Sequence, residues 1–270
     1  MKIGIFGATG RMGKEHIREI LQNPDVSLSG AVTASGDPLI GRDAALQVGL
    51  PACDVLISDN AEELFKAADA VIDFSTPEAS LISAQLAAQY RKILVIGTTG
   101  FSDAQWHVLQ SYANETPIIW SSNMSVGVNL LFALTEQVAA ILGEEFDIEI
   151  VEMHHRQKID APSGTALSLG KAAAKGRNRH FNDVAKLSRE GIEDIRPRGE
   201  IGFATLRGGD VIGDHTVTFA GMGERIELTH KASNRTIYSK GAVRACLWAR
   251  QKAPGLYAMK DVLQGNTHGA

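Results

Sequence analysis

The sequence predicts an α/β protein, a doubly wound parallel sheet followed by a second α+β domain built on an open mixed sheet. Two observations carry this expectation. Up to Asn123, short apolar runs alternate with helix-like segments, the pattern of parallel strands covered by helices on both faces. Beyond Asn123 the strand-like runs alternate apolar with polar residues and are punctuated by glycines.

Lys2–Phe6 is a β-branched-rich run ending at Gly7, and Met12, His16, Ile17, Ile20 and Leu21 then recur at helical spacing between Arg11 and Leu21. A strand, a glycine turn and a helix therefore open the chain. Further strands are expected at Val26–Val32, Ala70–Phe74, Ile93–Ile96 and Ile118–Trp120, and a helix at Val128–Leu142. On a strand over Phe146–His155, Ile148, Ile150, Glu152 and His154 would share one face, and Asp147, Glu149, Val151, Met153 and His155 the other. A helix is expected at Ala166–Lys175. Phe203–Arg207, Val211–Ile212, Thr216–Ala220 and Arg225–Lys231 read as strands punctuated by Gly208, Gly209, Gly213, Gly221 and Gly223. A helix over Ala242–Ala249 and a frayed tail at Thr267–Ala270 complete the pattern. No internal repeat or low-complexity linker interrupts it.

The chain has 270 residues, enough for two modest domains, and its 44% hydrophobic and 21% charged residues suit a soluble globular protein. Lys+Arg 27 against Asp+Glu 31 leaves a net charge of −4, which argues against binding nucleic acid by phosphate neutralisation. Cys53 and Cys246 lie far apart with no metal-ligand spacing, so a reducing, cytoplasmic setting is expected. MKIGIFGATG runs straight into glycines without a cleavage pattern, and no run approaches the ~18 uninterrupted apolar residues of a membrane span. Neither a targeting segment nor a membrane is expected.

Gly7-Ala8-Thr9-Gly10-Arg11-Met12-Gly13 places a G-x-x-G-x-x-G run between the first strand and the first helix. Glycines there allow a tight turn and close approach to a pyrophosphate, whose charge the free N–H groups of the helix would face. Elsewhere the pattern would be an ordinary turn; inside a βαβ unit it favours a dinucleotide site and a Rossmann-type sheet. Such sites commonly carry an acid at the end of the second strand, about 20 residues on, for the ribose hydroxyls of NAD. Here the stretch is Ala31-Val32-Thr33-Ala34-Ser35, with Asp37 the nearest carboxylate. Thr33 can bond a ribose hydroxyl or a phosphate but repels neither, and Arg11 is placed to reach a 2′-phosphate. Position 33 therefore predicts that NADPH serves at least as well as NADH, although Ala34 removes a second phosphate ligand.

Residues 152–166, EMHHRQKIDAPSGTA, hold the most informative cluster. His154 and His155 point to opposite sides of an extended chain and H-E-x-x-H is absent, so a metal site is not expected. Ser163, Gly164 and Thr165 precede a helix whose unpaired N–H groups suit a carboxylate, and His154 and Lys158 add titratable donors upstream. Each residue alone has a plainer explanation: a helix cap, a solvated lysine, a strand end. Their convergence behind a dinucleotide turn favours an anion-handling catalytic site.

On these residues the chain resembles the 4-hydroxy-tetrahydrodipicolinate reductase (dihydrodipicolinate reductase) family of the diaminopimelate route to lysine. The resemblance runs nearly end to end, through GATGRMG at 7–13, DFSTPE at 73–78, IGTTGF at 96–101, SSNMSVGVN at 121–129, EMHHRQKIDAPSGTA at 152–166 and RPRGEIGFATLRGGDVIGDHTV at 196–217. The HHxxKxDAPSGTA element is the specific part. The resemblance implies that NADPH or NADH delivers hydride to C4 of an unsaturated heterocyclic dicarboxylate. His154 would be the proton donor and acceptor and Lys158 a second proton donor, with His155, Ser163, Gly164 and Thr165 at the substrate. Gly7, Ala8, Thr9, Gly10, Arg11, Met12, Thr33, Gly97, Thr98, Thr99, Ser121, Ser122, Asn123 and Met124 would surround the cofactor.

The resemblance also implies a dinucleotide-binding domain of residues 1–124 with 236–270, and a substrate-binding and oligomerisation domain of residues 125–235. Two chain crossings between them would form a hinge, and a homotetramer would assemble through the second domain's sheet. Thr33 departs from the family where many members carry an acid, Ala34 where some carry Arg, and Met124 where Phe is common. Two rival readings are another two-domain oxidoreductase, such as a semialdehyde or sugar dehydrogenase, and a non-catalytic NADP-sensing regulator. Neither Cys53 nor Cys246 lies in the reactive setting that a semialdehyde dehydrogenase needs, and intact His154 and Lys158 argue against the regulator.

Overall fold

The computed structural model describes residues 1–264, so the expected frayed tail at Thr267–Ala270 lies outside the described residues. The elements are, in order, β1 (Lys2–Phe6), α1 (Arg11–Gln22), β2 (Ser27–Val32), β3 (Ile57–Ser58), α2 (Ala61–Ala67), β4 (Ala70–Asp73), α3 (Pro77–Tyr90), β5 (Ile93–Ile96), α4 (Asp103–Tyr112) and β6 (Pro117–Trp120). They continue with α5 (Val126–Leu142), β7 (Asp147–His154), α6 (Gly164–Gly176), α7 (Phe181–Val184), β8 (Ala185–Lys186), β9 (Ile201–Arg207), β10 (Gly213–Ala220) and β11 (Arg225–Ala232). α8 (Thr236–Ala249), β12 (Gly255–Tyr257) and α9 (Met259–Gln264) follow. The chain divides into two compact units, Met1–Val126 with the segment from Arg235 onward, and Gly127–Asn234.

The first unit is built on a parallel seven-stranded sheet in the order β12-β6-β5-β4-β1-β2-β3. The chain winds outward from β1 to β3 and returns to β4 on the other side of β1, so the strand order reverses between β1 and β4. β4 is buried at every residue, because helices cover both faces. Ile3, Ile5, Ile72 and Val95 pack on one side with Ile17 and Ile20 of α1 and Ala242 and Ala245 of α8; Val71, Leu94, Ile96 and Ile118 pack on the other with Leu64, Phe65 and Leu109. The Asn60, Thr76 and Ser102 side chains cap α2, α3 and α4 by accepting a backbone N–H. α1 has no such cap, since its cap residue is Gly10.

The second unit carries a mixed five-stranded sheet, β11-β10-β7-β9-β8, in which β10 runs antiparallel to β11 and β7 while β7 and β9 are parallel. One face is covered by α6: Ala166, Leu169 and Ala173 pack with Ile148, Ile150, Phe203, Val217 and Phe219. The expected alternation on β7 is present, with Ile148, Ile150, Glu152 and His154 all buried. That face changes character along the strands. Ile148 and Ile150 give way to Glu152 and His154, and Phe219 and Val217 to His215, so the covered face ends in a polar patch beside the start of α6.

Two expectations need correction. Val211–Ile212 is not a strand, because the Gly208–Asp210 reversal leaves it as the lead-in to β10, where Val211 O accepts the His155 N–H at 2.7 Å. α8 begins at Thr236, not Ala242; a Cβ on Gly241 would stand 1.8 Å from Met124 O, so the glycine, which gives no apolar signal, is what lets the helix pack here. By length and composition Val126–Glu145, with mean hydropathy 1.6, is long and apolar enough to cross a membrane, but Asn129, Thr135, Glu136 and Gln137 interrupt it, as the expectation of no uninterrupted apolar run requires. Within the second unit, however, its Leu131 and Ala139 pack into the core.

Gly13 sets how closely α1 approaches the glycine turn, since a Cβ there would lie 2.2 Å from Gly7 O and 2.7 Å from Ala8 O, both backbone atoms that cannot swing aside. Gly13→Ala should therefore destabilise the protein by about 1–3 kcal/mol, the usual cost of overpacking, measurable as a lower midpoint in chemical denaturation. An unchanged midpoint would show that α1 can withdraw from the turn freely.

Candidate functional site

The first unit gathers one cluster at the carboxyl ends of its parallel strands. Gly7 follows β1 with φ +81°, a conformation that favours glycine. Its N–H and that of Ala8 both donate to Val32 O at 2.8 Å, which ties the turn to the end of β2 and brings Thr9 beside Thr33, with their hydroxyl oxygens 2.6 Å apart. Gly10, Arg11 and Met12 open α1, which has neither a side-chain cap nor an acid in its first turn. The start of α1 is thus the feature that fits a nucleotide pyrophosphate: positive helix end, glycine backbone and no acid in the first turn.

Gly97, Thr98 and Thr99 follow β5, and Ser121, Ser122, Asn123 and Met124 follow β6. These residues lie on the same edge of the sheet as the glycine turn because all the strands are parallel. Asp73 organises their support. Its carboxylate accepts the Ser75 N–H at 2.9 Å and the Ser75 and Ser83 hydroxyls at 2.5 Å each, while Thr98 Oγ1 accepts the Ser75 N–H at 3.1 Å and the Ser80 hydroxyl at 2.9 Å. Burial pushes the Asp73 pKa up against these bonds. Trp120 Nε1 donates to Thr98 O at 2.9 Å, and the Ser121 hydroxyl donates to Asn123 O at 2.7 Å. Met124 is buried.

The second unit holds the other cluster, centred on Glu152. Register places His215 of β10 opposite Glu152 and Arg207 of β9 opposite His154. Glu152 is 1% exposed. Arg207 grips its carboxylate with two bonds, Nη1 to Oε2 at 2.8 Å and Nη2 to Oε1 at 2.9 Å. His154 Nδ1 lies 2.6 Å from Oε2, and the Ser163 N–H donates to Oε1 at 2.9 Å. Ser163 Oγ accepts the Ala166 N–H and stands 3.1 Å from His215 Nε2. The His154 and His215 rings meet edge to face, 5.1 Å apart.

Burial alone would raise the pKa of Glu152, but His154, Arg207 and the Ser163 N–H together outweigh it and bring the carboxyl down to about 2. The ionised carboxylate accepts the Nδ1 proton of His154, which leaves Nε2 as the ring's second proton site. Burial, reinforced by the nearby His154, lowers His215 to about 3, so that ring is neutral at ordinary pH. Lys158 Nζ pairs with Asp160 Oδ1 at 2.8 Å, and against the opposing effect of burial this contact lowers the Asp160 pKa.

The structure joins His154 and Ser163 through Glu152 and places Gly164 and Thr165 at the start of α6. Lys158 sits on the loop between β7 and α6, and His155 lies just past the end of β7 with its N–H bonded to Val211 O. Ser163 differs from expectation in one respect: its N–H already donates to Glu152. Sequence reasoning gave no role to Glu152, Arg207, His215 or Asp73. Glu152 was within reach, since it shares a strand face with His154 two residues on. Arg207 and His215 carry no local signal, because only strand register brings them to residue 152.

Family models described as dihydrodipicolinate reductase, N-terminus, and dihydrodipicolinate reductase, C-terminus, match residues 1–124 and 127–263. A 4-hydroxy-tetrahydrodipicolinate reductase of Rhodopseudomonas palustris is 51% identical over 263 residues, covering 97% of this chain and 96% of that protein. One from Ruegeria pomeroyi is 50% identical over 261 residues, covering 97% of each. The solved dipicolinate-bound dihydrodipicolinate reductase from Paenisporosarcina sp. TG-14 superposes with a TM-score of 0.75 at 26% identity, covering 96% of this chain and 97% of that one. An amine dehydrogenase from Mycobacterium smegmatis, at 13% identity and a TM-score of 0.64 over 96% of this chain and 95% of that one, shares the fold alone.

The shifts at Glu152 and His215 act in the same direction with pH. Glu152 falls from 4.5 to about 2 on folding, so its contribution to stability is complete above pH 4.5 and is lost as pH drops towards 2. His215 falls from 6.5 to about 3; the unfolded chain takes the proton more readily, and stability is lost as pH drops through that window. Thermal midpoints should fall steadily on acidification below pH 6.5. Glu152→Gln should flatten the part below pH 4.5 and, by leaving Arg207 without its anion, cost on the order of 3 kcal/mol at neutral pH. A variant that kept the wild-type acid profile would remove Glu152 as its source.

Proposed function

The chain belongs to the 4-hydroxy-tetrahydrodipicolinate reductase (dihydrodipicolinate reductase) family and is an oxidoreductase; from that premise we propose that it reduces 4-hydroxy-tetrahydrodipicolinate to tetrahydrodipicolinate in lysine and diaminopimelate biosynthesis. In the overall reaction hydride adds at C4, the C4 hydroxyl leaves as water and one proton is taken up. NADPH or NADH, when bound, supplies the hydride. The observation that carries the reading is the Glu152–His154 pair at 2.6 Å, buried beside the start of α6.

The roles divide between the units. In the first, the open start of α1 and the Gly7 turn hold the pyrophosphate, and the segments at 97–99 and 121–124 line the remainder of the nucleotide. In the second, Glu152 fixes the His154 ring through Nδ1, so His154 exchanges a proton with the substrate carbon next to C4 at Nε2. Lys158 is the second proton donor, and Asp160 holds its ammonium on the loop. Gly164 and Thr165 present the start of α6 to a substrate carboxylate, with His155 alongside. Ser163 fixes that helix start by capping it and by bonding Glu152. The bound dipicolinate of the Paenisporosarcina structure is a heterocyclic dicarboxylate and supports this assignment. A cytoplasmic homotetramer assembled through the second unit's sheet completes the proposal.

The direct test is NADPH and NADH oxidation by the purified protein with freshly generated substrate. His154→Ala and Lys158→Ala should each lower kcat by roughly 10²–10⁴-fold, the range for a lost general acid, with nucleotide affinity nearly unchanged. Near-wild-type kcat in either variant would remove that residue from the mechanism. Gly164→Val separates binding from folding, since a Cβ at Gly164 meets nothing within 4 Å. It should raise KM for the dicarboxylate far more than for the nucleotide, and equal increases in both would place the carboxylate elsewhere.

A further inference from the structure

The end of β2 lacks the acid usual for this fold, yet a carboxylate stands there. Asp37 folds back so that its Oδ2 lies 2.7 Å from Thr9 Oγ1 and 3.0 Å from Thr33 Oγ1, while Oδ1 accepts the Leu39 N–H at 2.9 Å. With the two hydroxyl oxygens 2.6 Å apart, this is a triangle of oxygens between the glycine turn and the end of β2. A triangle has three sides, but the two threonines own only two hydroxyl protons. In every arrangement one contact therefore lacks a hydrogen, and the cluster has acceptor capacity to spare.

This imbalance selects among ligands. A ribose diol brings two hydroxyl donors and would relieve the shortage. A 2′-phosphate brings acceptors and negative charge, which the cluster cannot satisfy and the carboxylate repels. Resting on the nucleotide reading above, we infer that Asp37, bracketed by Thr9 and Thr33, reads the adenosine ribose and makes NADH the preferred nucleotide over NADPH. Leu39 N–H and then the Thr9 hydroxyl hold the Asp37 carboxyl below the usual carboxylate range, Lys14 on α1 adding a smaller contribution, so the group is charged at working pH. Position 33 alone predicts that NADPH serves at least as well as NADH. Asp37 reverses the ranking because the chain supplies its carboxylate four residues later and returns it to the same place.

Equilibrium titration by nucleotide fluorescence, without substrate, tests this on the full chain. Wild-type protein should bind NADH about tenfold or more tightly than NADPH. Asp37→Asn, which keeps an oxygen for the Leu39 N–H, should shrink that ratio about tenfold, mainly by tightening NADPH. Thr33→Val should weaken NADH while leaving Asp37 to repel the phosphate. Equal wild-type affinities, or an unchanged ratio in Asp37→Asn at an unaltered thermal midpoint, would overturn the inference and leave the nucleotide site standing. Binding of neither nucleotide would overturn both.

Discussion

Glu152 is charged and 1% exposed, and a buried charge persists only where the protein replaces the water it has lost. Here the replacement comes from three separate parts of the second unit: a guanidinium on β9, an imidazole on β7 itself and a backbone N–H at the start of α6. Each partner is fixed by the same carboxylate. Arg207 is held by both carboxylate oxygens, the His154 ring is oriented through Nδ1, and α6 is anchored at the residue that caps it. The placement of α6 over the apolar end of the sheet and the orientation of the catalytic candidates at its polar end thus rest on one ion cluster.

Asp73 meets the same constraint in the first unit with different means. It is fully buried and surrounded by hydroxyls and an N–H, with no cation bonded to it among the described residues, and its pKa is pushed up where that of Glu152 is pulled down. The contrast follows from the partners: a guanidinium compensates a charge, whereas serine hydroxyls satisfy lone pairs of either protonation state. Asp73 accordingly ties the loop after β4 to α3, through Ser75 and Ser83. Glu152 controls the proton position on His154. Asp37 is a third case, half-buried and short of donors, and so open to a ligand that brings them.

Much of the fold was legible because its cues are local. β4 and β5 are short apolar runs bounded by polar residues, and the β7 alternation shows its buried face directly. Residues 236–241 hid the start of their helix because Ile237 and Tyr238 are the only apolar side chains beside Thr236, Ser239, Lys240 and Gly241, and the buried positions Ser239 and Gly241 carry no hydrophobic signal. β3, β8 and β12 are two or three residues long, too short for any periodicity. The candidate site was legible where its residues are consecutive, as from His154 to Thr165. It was illegible where strand pairing assembles it.

The sequence by itself determined the alternation of strands and helices, the glycine turn after β1, and the His154–Thr165 segment, because each depends on backbone conformation and side-chain spacing within a few residues. Only the tertiary structure decided that Arg207 and His215 converge on Glu152, that Ser163 spends its N–H inside the protein, and that Asp37 supplies the carboxylate missing from β2. These are matters of register and chain return across long sequence separations. A residue's type fixes what it can bond, but the packing of the whole sheet fixes which partner lies within reach.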